Sequence, residues 1–254
     1  MLSALLLTVA TAACVVAHPM GADLEARQGG PKATVYSSCK NKGDVALTFD
    51  DGPWEYLQVV SDTLVKAGAV GTFFFNGNNY DCIYNAAEQQ RVKYAYNAGH
   101  MIGSHTWAHK DLTTLSWDQI HDEMWRVEQA LQRIIGVTPA FMRPPYGNYN
   151  DLVRQVSYAR NQSLVIWDFD DGDSTGSSVA QSEADYDKAL AKHPNSMLSL
   201  NHETYKTTAY QVLPYAISKL QAGGYKMVSV ATCLGLQPYQ HVGKPGTPDA
   251  TWKC

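Results

Sequence analysis

Seven short β-rich runs, each followed by a helical pattern or a long loop, limit what this chain can become. They are VALTF (45–49), GTFFF (71–75), HMIGS (100–104), PAFMR (139–143), SLVIW (163–167), SMLSL (196–200) and YKMVSV (225–230). Helical patterns fall between them, for instance over 55–67, 85–98, 116–135 and 208–222. The segment SWDQIHDEMWRVEQAL opens at Ser116 with Asp118 and Gln119 in its first turn, as a helix N-terminus does. This alternation, without a linker-like break, an internal repeat or a low-complexity stretch, predicts a single α/β domain. At 254 residues and 45% apolar composition, the chain has enough material for a sizeable core.

Seven such units can form an open doubly wound sheet or close into a distorted (β/α)7-8 barrel. The placement of polar residues favours the barrel. Strand one ends in Asp50-Asp51, strand three runs into His105 and His109, and strand four ends in Arg143. Strand five leads into Asp168, Asp170 and Asp173, and strand six into His202. One rim then collects the reactive side chains, as the C-terminal face of a barrel does, whereas an open sheet would gather them at a switch point.

The first 17 residues, MLSALLLTVATAACVVA, form an apolar, Ala-rich run with small residues at its end. They read as a secretory signal peptide cut between Ala13 and Ala17, and the run is short for a bilayer span. No second apolar segment and no hydrophobic C-terminal tail follow. The expectation is a protein secreted to the extracellular space or cell wall, with no membrane anchor in the mature form. Residues 18–38 then form an N-terminal extension and 39–254 the main domain. Cys14 leaves with the signal, so Cys39, Cys82, Cys233 and Cys254 remain, an even number in an exported chain, and two disulfides are expected. Three pairings are open. Barrel closure makes the first and last strands neighbours and favours Cys39–Cys233, which leaves Cys82–Cys254. Asn161-Gln162-Ser163 is a glycosylation sequon. A net charge of −4 without a long basic run argues against a nucleic-acid partner. Fifteen tyrosines and six tryptophans exceed what packing needs and are compatible with stacking on sugar rings.

His105 and His109 in GSHTWAHKDL are four residues apart, a spacing that puts two imidazoles on one face of a helical turn and lets them share a metal ion. The plainer reading is two histidines packing at a strand-to-helix junction. HTWAH has no Glu after its first His, so a general base must come from elsewhere. Asp50 and Asp51 in ALTFDDGPW supply carboxylates. Successive side chains at a strand end point in different directions, so one can ligate a metal while its neighbour faces the attacking water. An Asx-type turn before Gly-Pro is the alternative for either aspartate alone. One Asp with two His makes a three-ligand site with an open position, as hydrolytic zinc uses.

TFDDGP, SHTWAH, RPPYG and LNH, in this order at these strand ends, resemble the motif series of the polysaccharide deacetylases, carbohydrate esterase family four with its NodB-homology domain. The fungal chitin deacetylases are the most similar type, and the likeness spans residues 44–232, which makes 39–254 the catalytic domain. The resemblance implies Asp50 as catalytic base and Asp51, His105 and His109 as ligands of Zn²⁺, with Co²⁺ or Mn²⁺ as substitutes. It implies that Arg143 holds the base, that the backbone N–H of Tyr146 serves the oxyanion, and that His202 is the acid that protonates the leaving amine. Leu200 would line the pocket for the acetyl methyl. In WDFDDGDS, the resemblance makes Asp170 the residue that orients His202; Asp168, Asp171 and Asp173 read as solvated loop carboxylates or small-motif turns. The family's aromatic residue then falls at Ser174, a departure for which Trp167 could supply the missing surface.

The implied reaction is metal-assisted hydrolysis of the N-acetyl amide of chitin or chitooligosaccharides by a monomer. Peptidoglycan and acetylated xylan are alternative substrates. A chitinase reading of DFDDGD lacks the closing Glu and leaves SHTWAH unused. A secreted chitin-binding protein without activity is the remaining reading. The segment NGNNYDCIYN (76–85) is expected to form one rim of the groove.

Overall fold

The centre of the fold is a run that is buried on both faces, as strands of a parallel sheet covered by helices are. In the computed structural model, which describes residues 30–254, this run is broken into β2 (Asp44–Ala46) and β3 (Thr48–Asp50), both wholly buried. Around it lie β4 (Thr72–Phe75), β5 (Met101–Ser104), β7 (Phe141–Met142) and β8 (Ser163–Val165) on one side. On the other is β10 (Met197–His202), which pairs in parallel with β2, β3 and the short β9 (Phe169–Asp170). With β1 (Val35–Tyr36) and β11 (Lys226–Met227) at the two ends, the strand order is β1-β8-β7-β5-β4-β3-β10-β2-β11, parallel throughout. Each of the seven expected runs contains a strand, and residues Pro31–Cys254 form one compact unit with the barrel-like α/β fold.

β11 (Lys226–Met227) hydrogen-bonds directly to β2, so the last unit returns beside the first. That return carries Cys233 to Cys39, where a disulfide joins Cα atoms 5.0 Å apart. The second disulfide, Cys82–Cys254, spans 5.9 Å between Cα atoms.

Seven helices cover the sheet among the described residues: α1 (Leu57–Lys66), α2 (Ala86–Asn97), α3 (Trp117–Ile135), α4 (Asp151–Ala159), α5 (Val179–Leu190), α6 (Leu213–Ala222) and α7 (Val230–Leu234). α3 begins with a capping box in which Ser116 and Gln119 satisfy each other's backbone N–H. It ends at Gly136, whose φ of +79° and whose closeness to the Gly243 carbonyl leave no room for a Cβ. α6 is preceded by a π turn over Thr208–Val212. None of the described helices is long and apolar enough to cross a membrane.

Two additions frame this body. Val35–Tyr36, within the stretch read as an N-terminal extension, forms β1 beside β8 because Thr34 and Tyr36 carbonyls accept from the otherwise unpaired Leu164 and Ile166 N–H groups. At the other end, β12 (Tyr239–Val242) runs antiparallel to β6 (Val137–Pro139). The chain then continues over α3, with Trp252 against Tyr84 and Cys254 bonded to Cys82. The signal-peptide reading and Cys14 lie outside the described residues.

Candidate active site

Because all the central strands run parallel, their C-terminal ends share one rim, and there a cleft of about 360 Å³ opens. Asp50, Asp51, His105, His109, Tyr146, Trp167, Asp170, Leu200 and His202, all named from the sequence, line it together with Ser174. Four of the six non-glycine residues with positive φ among the described residues fall at this rim: Asp51 (+73°), Thr106 (+68°), His109 (+52°) and Tyr146 (+61°). Left-handed backbone at such residues is disfavoured, and it gathers where side chains must be aimed at a common point.

Asp51 Oδ1 lies 3.3 Å from His109 Nε2 and 3.6 Å from His105 Nε2. One ligand atom from each of the three residues falls within 4.8 Å of the others, which suits a single metal ion. The two histidines reach this arrangement from a loop rather than from the expected helical turn, since residues 105–109 are irregular and Thr106 and His109 take left-handed backbone. The rings still meet, 4.9 Å apart and edge to face. His105 Nδ1 is 2.7 Å from the Arg143 carbonyl. A carbonyl only accepts, so Nδ1 carries the proton and Nε2 presents its lone pair to Asp51. Burial pushes both imidazoles below their ordinary pKa, which keeps them neutral and able to ligate. The donor set of two neutral imidazoles and a carboxylate therefore fits a divalent cation.

Asp50 sits beside this triad, 3.7 Å from His105 Nε2 through Oδ2. Its other oxygen accepts from Arg143 Nη1 at 2.9 Å. Arg143 is wholly buried. Its guanidinium also donates to Thr48 Oγ1 (2.6 Å) and to the carbonyls of Val165 (3.2 Å) and Ile166 (3.1 Å). Its face covers Phe74, with the guanidinium carbon 4.5 Å from the ring centre, and that carbon lies 5.5 Å from the Trp167 ring centre. Arg143 thus joins both halves of the site: its side chain holds Asp50, and its backbone holds His105.

Across the cleft, β10 supplies Leu200 as a buried apolar wall and His202 as a polar group. His202 and Asp50 are register partners in β10 and β3. The carboxylate that holds His202 is Asp173, not Asp170. Asp173 Oδ1 is 2.7 Å from His202 Nδ1, and Oδ2 accepts from the His202 N–H and from Thr208 Oγ1, both at 2.8 Å. Asp170 is exposed at the cleft edge and accepts from the N–H of Gly172 within its own turn. Gly172, at φ +73°, reverses the chain after Asp171 and carries Asp173 inward. Asp171 is also buried rather than solvated, accepting from Asn201 Nδ2 at 2.6 Å, and burial pushes its carboxyl up to about 8. Asp168 accepts from the Leu198 N–H at 2.7 Å. Burial lowers the His202 pKa, but the hydrogen bond and charge of Asp173, with Asp50 and Asp51 adding to them, outweigh it and push His202 up to about 9.

Tyr146 follows the rigid Pro144-Pro145 pair; its exposed ring stands edge-on to His109, with centroids 4.7 Å apart. Trp167 lies against Gly147. The loop over 76–85 reaches the site. Asn79 Nδ2 donates to Asp51 Oδ1 at 3.3 Å, and exposed Tyr80 packs at a tilt against Trp54, with ring centroids 5.4 Å apart. Beneath it, buried Asn76 donates through Nδ2 to the His105 and Thr106 carbonyls and through its backbone N–H to the Gly52 carbonyl. Asn76, Asn79, Thr48 and Asp173 escaped sequence reasoning as site residues; Asn76 and Asn79 alone carried a signal, through the choice of NGNNYDCIYN as a rim.

The profile of the polysaccharide deacetylase family matches residues 37–162. A chitin deacetylase of Pestalotiopsis sp is 33% identical over 230 residues, covering 88% of this chain and 75% of that protein. A chitin deacetylase of Colletotrichum lindemuthianum is 32% identical over 234 residues, covering 90% of this chain and 94% of that protein. The solved structure of the chitin deacetylase from the fungal pathogen Colletotrichum lindemuthianum superposes with a TM-score of 0.79 at 30% identity, covering 83% of this chain and 97% of that one. With this likeness over nearly the whole of a relative, the chain belongs to the polysaccharide deacetylase family.

Proposed function

We propose that this protein is a metal-dependent chitin deacetylase that hydrolyses the N-acetyl groups of N-acetylglucosamine residues and releases acetate. One observation carries the reading: a three-donor metal triad flanked by an Arg-held carboxylate on one side and an Asp-held imidazole on the other, over a single cleft. Asp51, His105 and His109 would hold the ion, and their nitrogen and oxygen donors suit Zn²⁺, with Co²⁺ or Mn²⁺ able to substitute. When bound, the cation supplies Lewis-acid polarisation of the acetyl carbonyl and a lowered pKa for water.

The protein's own residues do the rest. Asp50 takes a proton as water oxygen adds to the acetyl carbonyl carbon, and Arg143 keeps that carboxylate aimed through its hydrogen bond to Oδ1. The Tyr146 backbone N–H donates to the developing oxyanion, and the left-handed turn after two prolines preorganises it. His202, protonated because of Asp173, gives its proton to the amide nitrogen as the C–N bond breaks, since an amine anion is too basic to leave. The products are acetate and a free glucosamine amine. Leu200 receives the acetyl methyl, while Trp167 and the Tyr146 ring offer faces to the sugars. Asp170, at the cleft edge, is left with a role in binding rather than in orienting His202.

Two disulfides fit an oxidising compartment, which agrees with a signal peptide over residues 1–17 and an extracellular or cell-wall location. Asn161 is exposed in the turn before β8, at the opposite end of the strands from the cleft, so a glycan there would leave the groove open. The reading is for a monomer; the triad, base and acid all come from one chain, so the proposed site needs no second copy to complete it.

The test is acetate release from N-acetylglucosamine oligomers of increasing length, with and without a chelator and Zn²⁺ restoration. Chelator-sensitive release that grows with oligomer length supports the proposal. Release only from acetylxylan or peptidoglycan fragments would move the substrate, and no release from any acetylated glycan would leave a binding protein.

A further inference from the structure

Glu203 follows the acid His202 directly, in the turn that ends β10, and unlike His202 it does not line the cleft. It is completely buried. Oε1 accepts the Trp54 N–H at 2.8 Å. The carboxyl also lies flat against Gly52: a Cβ there would fall 1.9 Å from Oε1 and 2.9 Å from Cδ. The loop from Asp51 to Trp54 therefore wraps the Glu203 carboxyl. Oε2 has no hydrogen-bond partner among the described residues.

A buried carboxyl with one oxygen unsatisfied is a poor choice for stability, and an apolar side chain of the same volume would cost less. What the carboxyl offers is a fixed acceptor at one point on the loop that carries Asp51. Asp51 stands at φ +73°, a conformation that needs support from outside the loop. Asn76 grips the same loop from the other side through the Gly52 carbonyl at 2.8 Å.

We propose that Glu203 is a positioning residue that sets the metal-ligand loop against the acid-bearing strand. It rests on the deacetylase reading above. One segment, His202-Glu203, presents the acid to the cleft with its first side chain and fixes the Asp51 loop with its second. The separation between acid and triad is thereby set by a single peptide unit. Burial pushes the Glu203 carboxyl well above the usual carboxylate range. What the loop uses is the acceptor Oε1, and the amide oxygen of a glutamine can take that place.

The experiment compares Glu203→Met, which fills the volume without an acceptor, with Glu203→Gln, which keeps the acceptor. Gly52→Ala, which pushes the loop off the carboxyl from the other side, is the third variant. Each is loaded with Co²⁺, and the Co²⁺ Kd, the visible d–d spectrum, kcat and KM are measured. Glu203→Met and Gly52→Ala are expected to weaken Co²⁺ binding about 10- to 100-fold and to alter the d–d bands. Their kcat is expected to fall by about 100-fold with KM near the wild-type value, because the reacting groups are misplaced while the sugar-binding surface is intact. Glu203→Gln is expected to restore most of both. A wild-type spectrum and kcat in folded Glu203→Met would overturn the inference, as would equal losses in Gln and Met variants. If Glu203→Met does not fold, the contrast between Gly52→Ala and Glu203→Gln decides on the same readouts. A wild-type protein that neither binds Co²⁺ nor releases acetate overturns the deacetylase reading and this inference with it. A normal wild type with a normal Met variant overturns this inference alone.

Discussion

Asp173 holds His202 at two points, with Oδ1 on the ring Nδ1 at 2.7 Å and Oδ2 on the backbone N–H at 2.8 Å. The ring is therefore fixed in both orientation and protonation, with Nε2 left for the cleft. This carries a pH prediction. In the proposed reaction His202 acts as an acid only while protonated, and its pKa is raised to about 9, so activity should persist to that pH and fall above it. Asp173→Asn leaves burial to dominate and should move the alkaline limb of kcat to lower pH, with kcat about 10- to 100-fold lower near neutrality. Asp170→Asn should leave the limb where it is. A shift in the Asp170 variant but not in the Asp173 variant would reverse the assignment. The same raised pKa contributes stability that is fully present below the ordinary value of 6.5 and is lost as pH rises through about 9.

Base and ligand should separate by substitution. Asp50→Asn keeps the triad and should retain bound metal while losing turnover by about 10²- to 10⁴-fold. His105→Ala removes a ligand and should lose both. Metal content by elemental analysis, set beside acetate release, checks the pair; a folded Asp50→Asn protein with normal rates would end the base assignment.

Arg143 is a buried cation whose removal leaves Asp50 uncompensated. Arg143→Met should destabilise the fold by about 3–5 kcal/mol. For a domain of this size that is a fall in Tm of roughly 6–20 °C. Arg143→Lys keeps the charge but cannot reach Asp50, Thr48 and the Val165 and Ile166 carbonyls together, so it should hold more stability than activity. Thermal melts alongside kcat distinguish the two losses.

The disulfides should differ in what they protect. Cys82 lies in the loop that carries Asn79 and Tyr80 to the cleft, and its bond to Cys254 ties that loop to the C-terminal segment. Replacing both cysteines by serine should cost about 2–5 kcal/mol and raise KM more than it lowers kcat. Replacing Cys39 and Cys233, far from the cleft at the β2–β11 end, should cost similar stability with KM unchanged. Equal KM effects in the two double variants would separate the loop from substrate binding.

Much of this site was legible in the chain. Parallel strands end on one rim, so Asp50-Asp51, His105, Arg143 and His202, each at or just beyond a strand's C-terminal end, had to converge once the strands were recognised. Their chemistry, with two imidazoles, paired carboxylates and a guanidinium, then narrowed the reaction. The failures were local. The four aspartates between 168 and 173 are equivalent in composition, and only the reversal at Gly172 makes Asp173 the partner of His202 and leaves Asp170 at the edge. The spacing of His105 and His109 suggested a helical turn, while the structure reaches the same proximity through left-handed backbone at Thr106 and His109.

Residue order thus specified the strands and the rim, because these follow from periodicity and from position along each strand, while the proposed roles of base, ligands and acid came from the family resemblance of the motifs. Which carboxylate is buried, which loop touches which, and how Glu203, Asn76 and Thr48 hold the reacting groups are different in kind. They depend on contacts between segments far apart in sequence, such as Glu203 with Trp54 or Arg143 with Asp50, and no local pattern encodes a distance that exists only after the sheet has curled.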